Sequence, residues 1–113
     1  MIYSPFEVVV VPFPFTDSSK TKRRPALVLS QYSSFSSKNN HSVLAMITSQ
    51  KNDPWPLDVI IEHPQPSGLT ASSVVRMKIF TLDHIFILRK IGQLSKTDQE
   101  QVKQSLSKLF ESL

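Results

Sequence analysis

Val8-Val9-Val10-Val11-Pro12-Phe13-Pro14-Phe15-Thr16, followed shortly by Lys20-Thr21-Lys22-Arg23-Arg24-Pro25-Ala26-Leu27-Val28-Leu29-Ser30, decides how this 113-residue chain is read. Four consecutive β-branched valines restrict side-chain rotation and favour extended backbone. The run is short and mostly apolar, so Glu7 to Phe13 reads as a first strand. Pro12 and Pro14 have no N–H to give to a ladder, so the strand ends or reaches an edge there. Thr16 to Lys22 is small and polar, a surface loop, and Pro25 to Gln31 reads as a second buried strand. Concentrated positive charge lies where loop meets strand. Four of the five residues from Lys20 to Arg24 are cationic, an arrangement suited to phosphate, and equally legible as a solvated loop.

The length fits a single domain, residues 1–113, with one modest core. A hydrophobic fraction of 40% against 19% charged residues describes a globular chain rather than a disordered one. The net charge of +4 favours an anionic partner, chiefly because the charge is clustered. The absence of cysteine excludes disulfides, thiolate metal sites and a cysteine nucleophile. No basic stretch precedes the Val8–Phe15 run, and two prolines break it. It reads as neither a signal peptide nor a membrane span, and a cytoplasmic location is expected.

Further along, Tyr32 to Ser42 is rich in Ser and Asn and reads as a loop. Ser42 to Thr48 and Leu57 to Glu62 read as strands joined by an exposed connection containing Pro54-Trp55-Pro56. His63 to Gly68 is a turn region, and Ser73 to Arg76 and Ile79 to Leu82 are short strands. Asp83 to Ile91 fits helix or strand, with a lean to helix. Ser95 caps a final helix, with Asp98 in a capping-box relation. Val102, Leu106, Leu109, Phe110 and Leu113 form an apolar stripe that would pack on the sheet. Short strands, Pro-rich turns and one late helix predict a mainly β fold, a curled antiparallel sheet or small barrel with a C-terminal helix.

Three residues are candidates for chemistry. Pro25 holds Arg24 extended, and a guanidinium offers a fork that matches two phosphate oxygens. Thr48 ends the third strand, where its hydroxyl can donate to phosphate or simply fill a β position. Arg76 follows Val74-Val75 and either enters the same groove or flanks the sheet. Trp55 can stack on a base or cover the barrel end. His41, His63 and His84 lack metal-ligand spacing, and no metal or cofactor is expected.

Together these segments resemble the MazF/PemK family of type II toxin–antitoxin ribonucleases. The carriers are Val9 to Asp17, Lys22 to Ser30, Ala45-Met46-Ile47-Thr48-Ser49, Gly68-Leu69, Ser73-Val74-Val75-Arg76 and Thr81-Leu82-Asp83, in family order. The resemblance implies an SH3-like barrel, a homodimer, and metal-independent cleavage of single-stranded RNA. It also implies a cognate antitoxin whose disordered tail fills the RNA groove, with operator DNA bound only through that antitoxin. Arg24 and Thr48 match the family's catalytic arginine and threonine, and Arg76 matches an arginine with a catalytic or binding role in some members. The family often opens its first strand with Gly-Asp or Gly-Glu, where this chain has Phe6-Glu7. Some members carry an acid two places after the residue matched by Arg76, where this chain has Lys78, or Met77 when counted back from Thr81, and neither is a carboxylate.

The implied reaction is attack of an RNA 2′-hydroxyl on its own phosphodiester, helped by charge stabilisation and in-line placement. Arg24 would clamp the phosphoryl oxygens and Thr48 would donate a hydrogen bond. Lys20, Lys22, Arg23, Thr16, Ser49 and Trp55 would hold the RNA. A protein-binding toxin of the same fold acting on a topoisomerase, a non-catalytic RNA-binding barrel, and a degenerate toxin that only binds its antitoxin are the competing readings.

Overall fold

The valine run forms the first strand as its chemistry dictates. In the computed structural model, which describes residues 2–13 and 22–113, β1 spans Glu7–Phe13. It pairs antiparallel with β2 (Lys22–Val28), Val11 facing Arg24 and Pro12 facing Arg23. On its other side β1 meets β6 (Arg89–Gln93), but only from Glu7 to Val10. Pro12 therefore lies beyond the described pairing with β6, where its missing N–H costs no ladder bond to that strand.

The remaining strands are β3 (His41–Ser49), β4 (Val59–Ile60) and β5 (Ser73–Asp83). All six lie in one sheet in the order β4-β5-β3-β2-β1-β6, each neighbour antiparallel. The sheet curls into a half-barrel, so strand residues are buried on both faces. Val8, Leu27, Ala45, Ile47 and Val75 form one core with Val102 of the C-terminal helix, while Val9, Val11, Ala26, Val28, Leu44 and Leu82 form the other. Burial on both faces is why β1 reads as a continuous apolar run rather than an alternating one.

Several boundaries differ from the sequence reading. β2 begins at Lys22 rather than Pro25 and ends at Val28, so Arg23 and Arg24 belong to the strand itself. The Tyr32–Ser42 segment is not an open loop. It holds a π-helical turn (Tyr32–Ser36) and one helical turn, α1 (Ser37–Asn39), closed by Asn40 in the left-handed region. The strand expected over Leu57–Glu62 shrinks to Val59–Ile60. The two short strands around Arg76 are one, β5, interrupted in its pairing rather than in its backbone. The region expected to lean helical holds only a 3-10 turn (His84–Phe86) before it becomes β6.

The C-terminal helix, α2, spans Lys96–Leu109. Ser95 Oγ accepts from the Asp98 N–H as a cap should. The Asp98 carboxylate does not complete a capping box. It is buried and accepts from the backbone N–H groups of Glu62 and His63, tying the helix start to the segment after β4. Only the first half of the apolar stripe packs. Val102 is fully buried and Leu106 partly so, while Leu109, Phe110 and Leu113 are exposed. The chain's two glycines meet where the turn after β4 crosses β6. A Cβ on Gly68 (φ +78°) would strike the Ile91 carbonyl, and one on Gly92 the backbone of Pro66 and Ser67.

Candidate active site

The site is built on four adjacent strands by one break in register. β3 advances two residues from Ala45 to Ile47 while its partner β5 spans four, from Ile79 to Val75. Three β5 residues, Arg76, Met77 and Lys78, therefore stand opposite Met46. By strand alternation, Arg76 and Lys78 fall on the face that carries Met46 and Thr48 of β3, Arg24 of β2 and Phe13 of β1. These residues, with Ile47, Asn52 and Trp55, line a concave pocket of about 200 Å³.

Arg24, Thr48, Arg76 and Trp55, all expected as site residues, are thus brought to one pocket. Lys22 and Arg23 are exposed on β2 and do not line it. Ser49 also lies outside its lining. Its Oγ accepts from the Lys51 N–H at 3.2 Å and its carbonyl from the Asn52 N–H at 3.2 Å, closing a turn. Thr16 and Lys20 fall outside the described residues.

Arg76 is only 9% exposed and heavily tied. Its Nε and Nη2 donate to the two Asp58 carboxylate oxygens at 3.2 and 2.9 Å, and Nη2 also donates to the Asp53 carbonyl at 2.8 Å. The guanidinium carbon sits 5.0 Å from the centroid of the Trp55 ring. The Asp58 carboxylate also accepts from the Trp55 N–H at 2.9 Å. Burial pushes the Asp58 carboxyl up, but hydrogen bonds from Arg76 and the Trp55 backbone, with the guanidinium charge, outweigh it and leave its pKa lowered. Asp58 in turn raises the Arg76 pKa, its hydrogen bond exceeding the opposing effect of burial. Leu57, which lies between Trp55 and Asp58 in the chain, stands at φ +68°, an uncommon conformation for a residue other than glycine. Trp55 neither packs away nor stands free: it is 44% exposed, with Arg76 over its ring.

Electrostatically the pocket is cationic. Arg76 shares its charge with Asp58, whereas among the described residues neither Arg24 nor Lys78 has a carboxylate partner. Lys78 Nζ lies 4.9 Å from the Phe13 ring centroid. Thr48 Oγ1 accepts a 2.6 Å hydrogen bond from Asn52 Nδ2. No His, Asp or Glu lines the pocket among the described residues. No cluster of three or more His, Cys, Asp or Glu that could hold a metal occurs among them either. Such a surface can bind and polarise a phosphodiester; it offers no described carboxylate or imidazole base.

Sequence reasoning missed Asn52, Lys78 and Asp58. Lys78 had a signal, since residues two apart on a strand share a face. Asn52 and Asp58 sit in the irregular Pro-rich connection, where no periodicity points at a partner.

Residues 4–110 match the family described as PemK-like, MazF-like toxin of type II toxin-antitoxin system. The chain belongs to this MazF-like toxin family. The MazF-like fold is shared with a MazE–MazF structure from Deinococcus radiodurans at 19% identity and a TM-score of 0.76, with 96% of each chain covered. The toxin MazF-mt6 of Mycobacterium tuberculosis matches at 18% identity and a TM-score of 0.70, covering 93% of this chain and 96% of its own. An endoribonuclease in complex with its cognate antitoxin, from a mycobacterial species, matches at 14% identity and a TM-score of 0.75, covering 99% and 98%. No curated protein matches the chain significantly. Among the described residues, no helix is long and apolar enough to cross a membrane.

Proposed function

We propose that this MazF-like toxin is an endoribonuclease that cuts single-stranded RNA by attack of a 2′-hydroxyl on the adjacent phosphodiester. The observation that carries the reading is the convergence of Arg24, Thr48 and Arg76 from three neighbouring strands on one cationic pocket. A nucleophile already attached to the phosphate needs no metal to generate it; it needs alignment and stabilisation of the charge that grows on the phosphoryl oxygens. Arg24, without a described carboxylate partner, supplies most of that charge. Thr48 donates a directed hydrogen bond. Arg76 adds a smaller share, its charge partly balanced by Asp58, and holds Trp55 at the rim, where an unstacked base would rest on the ring. Lys22 and Arg23, with Lys20 and Thr16 of the preceding loop and Ser49, would guide the backbone on either side.

A cognate antitoxin is the proposed partner, as in the MazE–MazF and endoribonuclease–antitoxin relatives. A homodimer acting in the cytoplasm, with operator DNA reached only through the antitoxin, completes the proposal. Incubation with a single-stranded RNA and with the same RNA carrying a 2′-deoxy nucleotide at the cut site tests the chemistry. Cleavage of the first and resistance of the second is expected; equal scission of both would eliminate 2′-hydroxyl attack.

A further inference from the structure

Thr48 is positioned to within one torsion by its strand. It is paired with Val74 in the β3–β5 ladder, and its β-branched side chain has little freedom at χ1. What the strand does not fix is the rotation of the hydroxyl itself, which carries one proton and two acceptor lone pairs. The proton can serve a phosphoryl oxygen only if it points into the pocket.

Asn52 supplies the missing constraint. The turn closed by the Asn52 N–H on the Ser49 carbonyl, and by the Lys51 N–H on Ser49 Oγ, folds the chain back over the end of β3. It brings Asn52 Nδ2 to 2.6 Å from Thr48 Oγ1, at the wall of the pocket that Arg24 also lines. An amide nitrogen only donates, so it occupies an acceptor lone pair of the hydroxyl and repels the hydroxyl proton from its own side. We propose that Asn52 is a positioning residue that sets the Thr48 hydroxyl as a donor toward the phosphate held by Arg24. The inference rests on the ribonuclease reading and adds to it a residue that acts through Thr48 rather than on the RNA.

The test is a double-mutant cycle in steady-state cleavage of an RNA with one mapped cut site. Losing the orienting bond frees about three staggered hydroxyl positions and one modest hydrogen bond, so Asn52→Ala lowers kcat by about 5- to 15-fold with KM little changed. Asn52→Asp, which accepts the Thr48 proton and sets a negative charge beside the phosphate, loses about 10²-fold, as for removal of a transition-state donor. In a Thr48→Ala background, Asn52→Ala has no further effect, and in a Thr48→Ser background it has at least its original effect. Asn52 is exposed on a turn, so the variants fold, which thermal denaturation checks. Equal losses in the Thr48 and Thr48→Ala backgrounds, or a rise in KM at constant kcat, would overturn the positioning role. RNA left intact by the unmodified protein would instead remove the ribonuclease reading, and this inference with it.

Discussion

Replacing Asp58 by Ala removes one half of the clamp that holds Trp55 over the pocket. The paired side chains of Arg76 and Asp58 are 10% and 12% exposed, close to buried. Deleting one partner of a buried pair costs about 3–5 kcal/mol, because the other charge is left without compensation. Arg76 keeps its bond to the Asp53 carbonyl and sits at the wall of an open pocket where water can enter. Both reduce the cost to just below that range, about 2–3 kcal/mol. For a domain of this length that lowers Tm by roughly 8–12 °C. Trp55 is the only tryptophan, so its emission reports the clamp directly. In Asp58→Ala it shifts to the red and becomes easier to quench with acrylamide. The pH dependence has a definite sign. The folded Asp58 pKa is lowered, so the pair stabilises above the unfolded carboxyl value, about 3.9, and that stability fades as pH falls through the folded pKa. The difference between the unmodified protein and Asp58→Ala therefore narrows in acid. An Asp58→Ala variant within about 0.5 kcal/mol of the parent, with unchanged emission, would refute the clamp.

His84 gives a second pH effect. It is buried, its Nε2 is 2.7 Å from Ser42 Oγ, and its Nδ1 has no hydrogen-bond partner among the described residues. Burial lowers its pKa, helped by the N-terminal charge and His41 and opposed by Asp83. The unfolded chain thus takes up the proton first. The stability conferred by neutral His84 is complete above about pH 6.5 and falls below it, by at most about 1.4 kcal/mol per unit. Chemical denaturation from pH 7.5 to 5 checks this, and His84→Gln flattens the slope. Lys78 is expected to hold phosphate electrostatically. Lys78→Ala reduces the slope of log affinity against log salt for single-stranded RNA by about 0.7, whereas Lys90→Ala, which removes a lysine paired with Glu7 away from the pocket, changes it less.

The fold was legible where local chemistry and tertiary packing agree. β1 is written in its valines, and the start of α2 in Ser95. Disagreements have physical causes. The break around Arg76 looked like the end of a strand because Arg76-Met77-Lys78 interrupts the apolar pattern. The backbone instead continues, with three residues set against Met46, and that irregularity is what places two cations in the pocket. Ile85-Phe86-Ile87-Leu88 looked helical because a short apolar run has no decisive period. Ile87 alone among them is buried, and the chain turns once and enters β6. Phe6 stands at φ +69°, a backbone region that glycine enters freely and other residues rarely do, a feature the sequence at Phe6-Glu7 gives no sign of. Within the site, Arg24 and Thr48 could be named from sequence because strands and a motif fix them. Asn52 and Asp58 could not, since their contacts depend on how an irregular connection folds back over the sheet.

The most direct measurement is the chemistry of the RNA ends left by the purified protein, with Arg24→Ala run in parallel. A 2′,3′-cyclic phosphate on one fragment and a 5′-hydroxyl on the other, formed about 10²- to 10³-fold more slowly by a folded Arg24→Ala, is the predicted result. A 5′-phosphate, or cleavage at the parental rate by that variant, would contradict it.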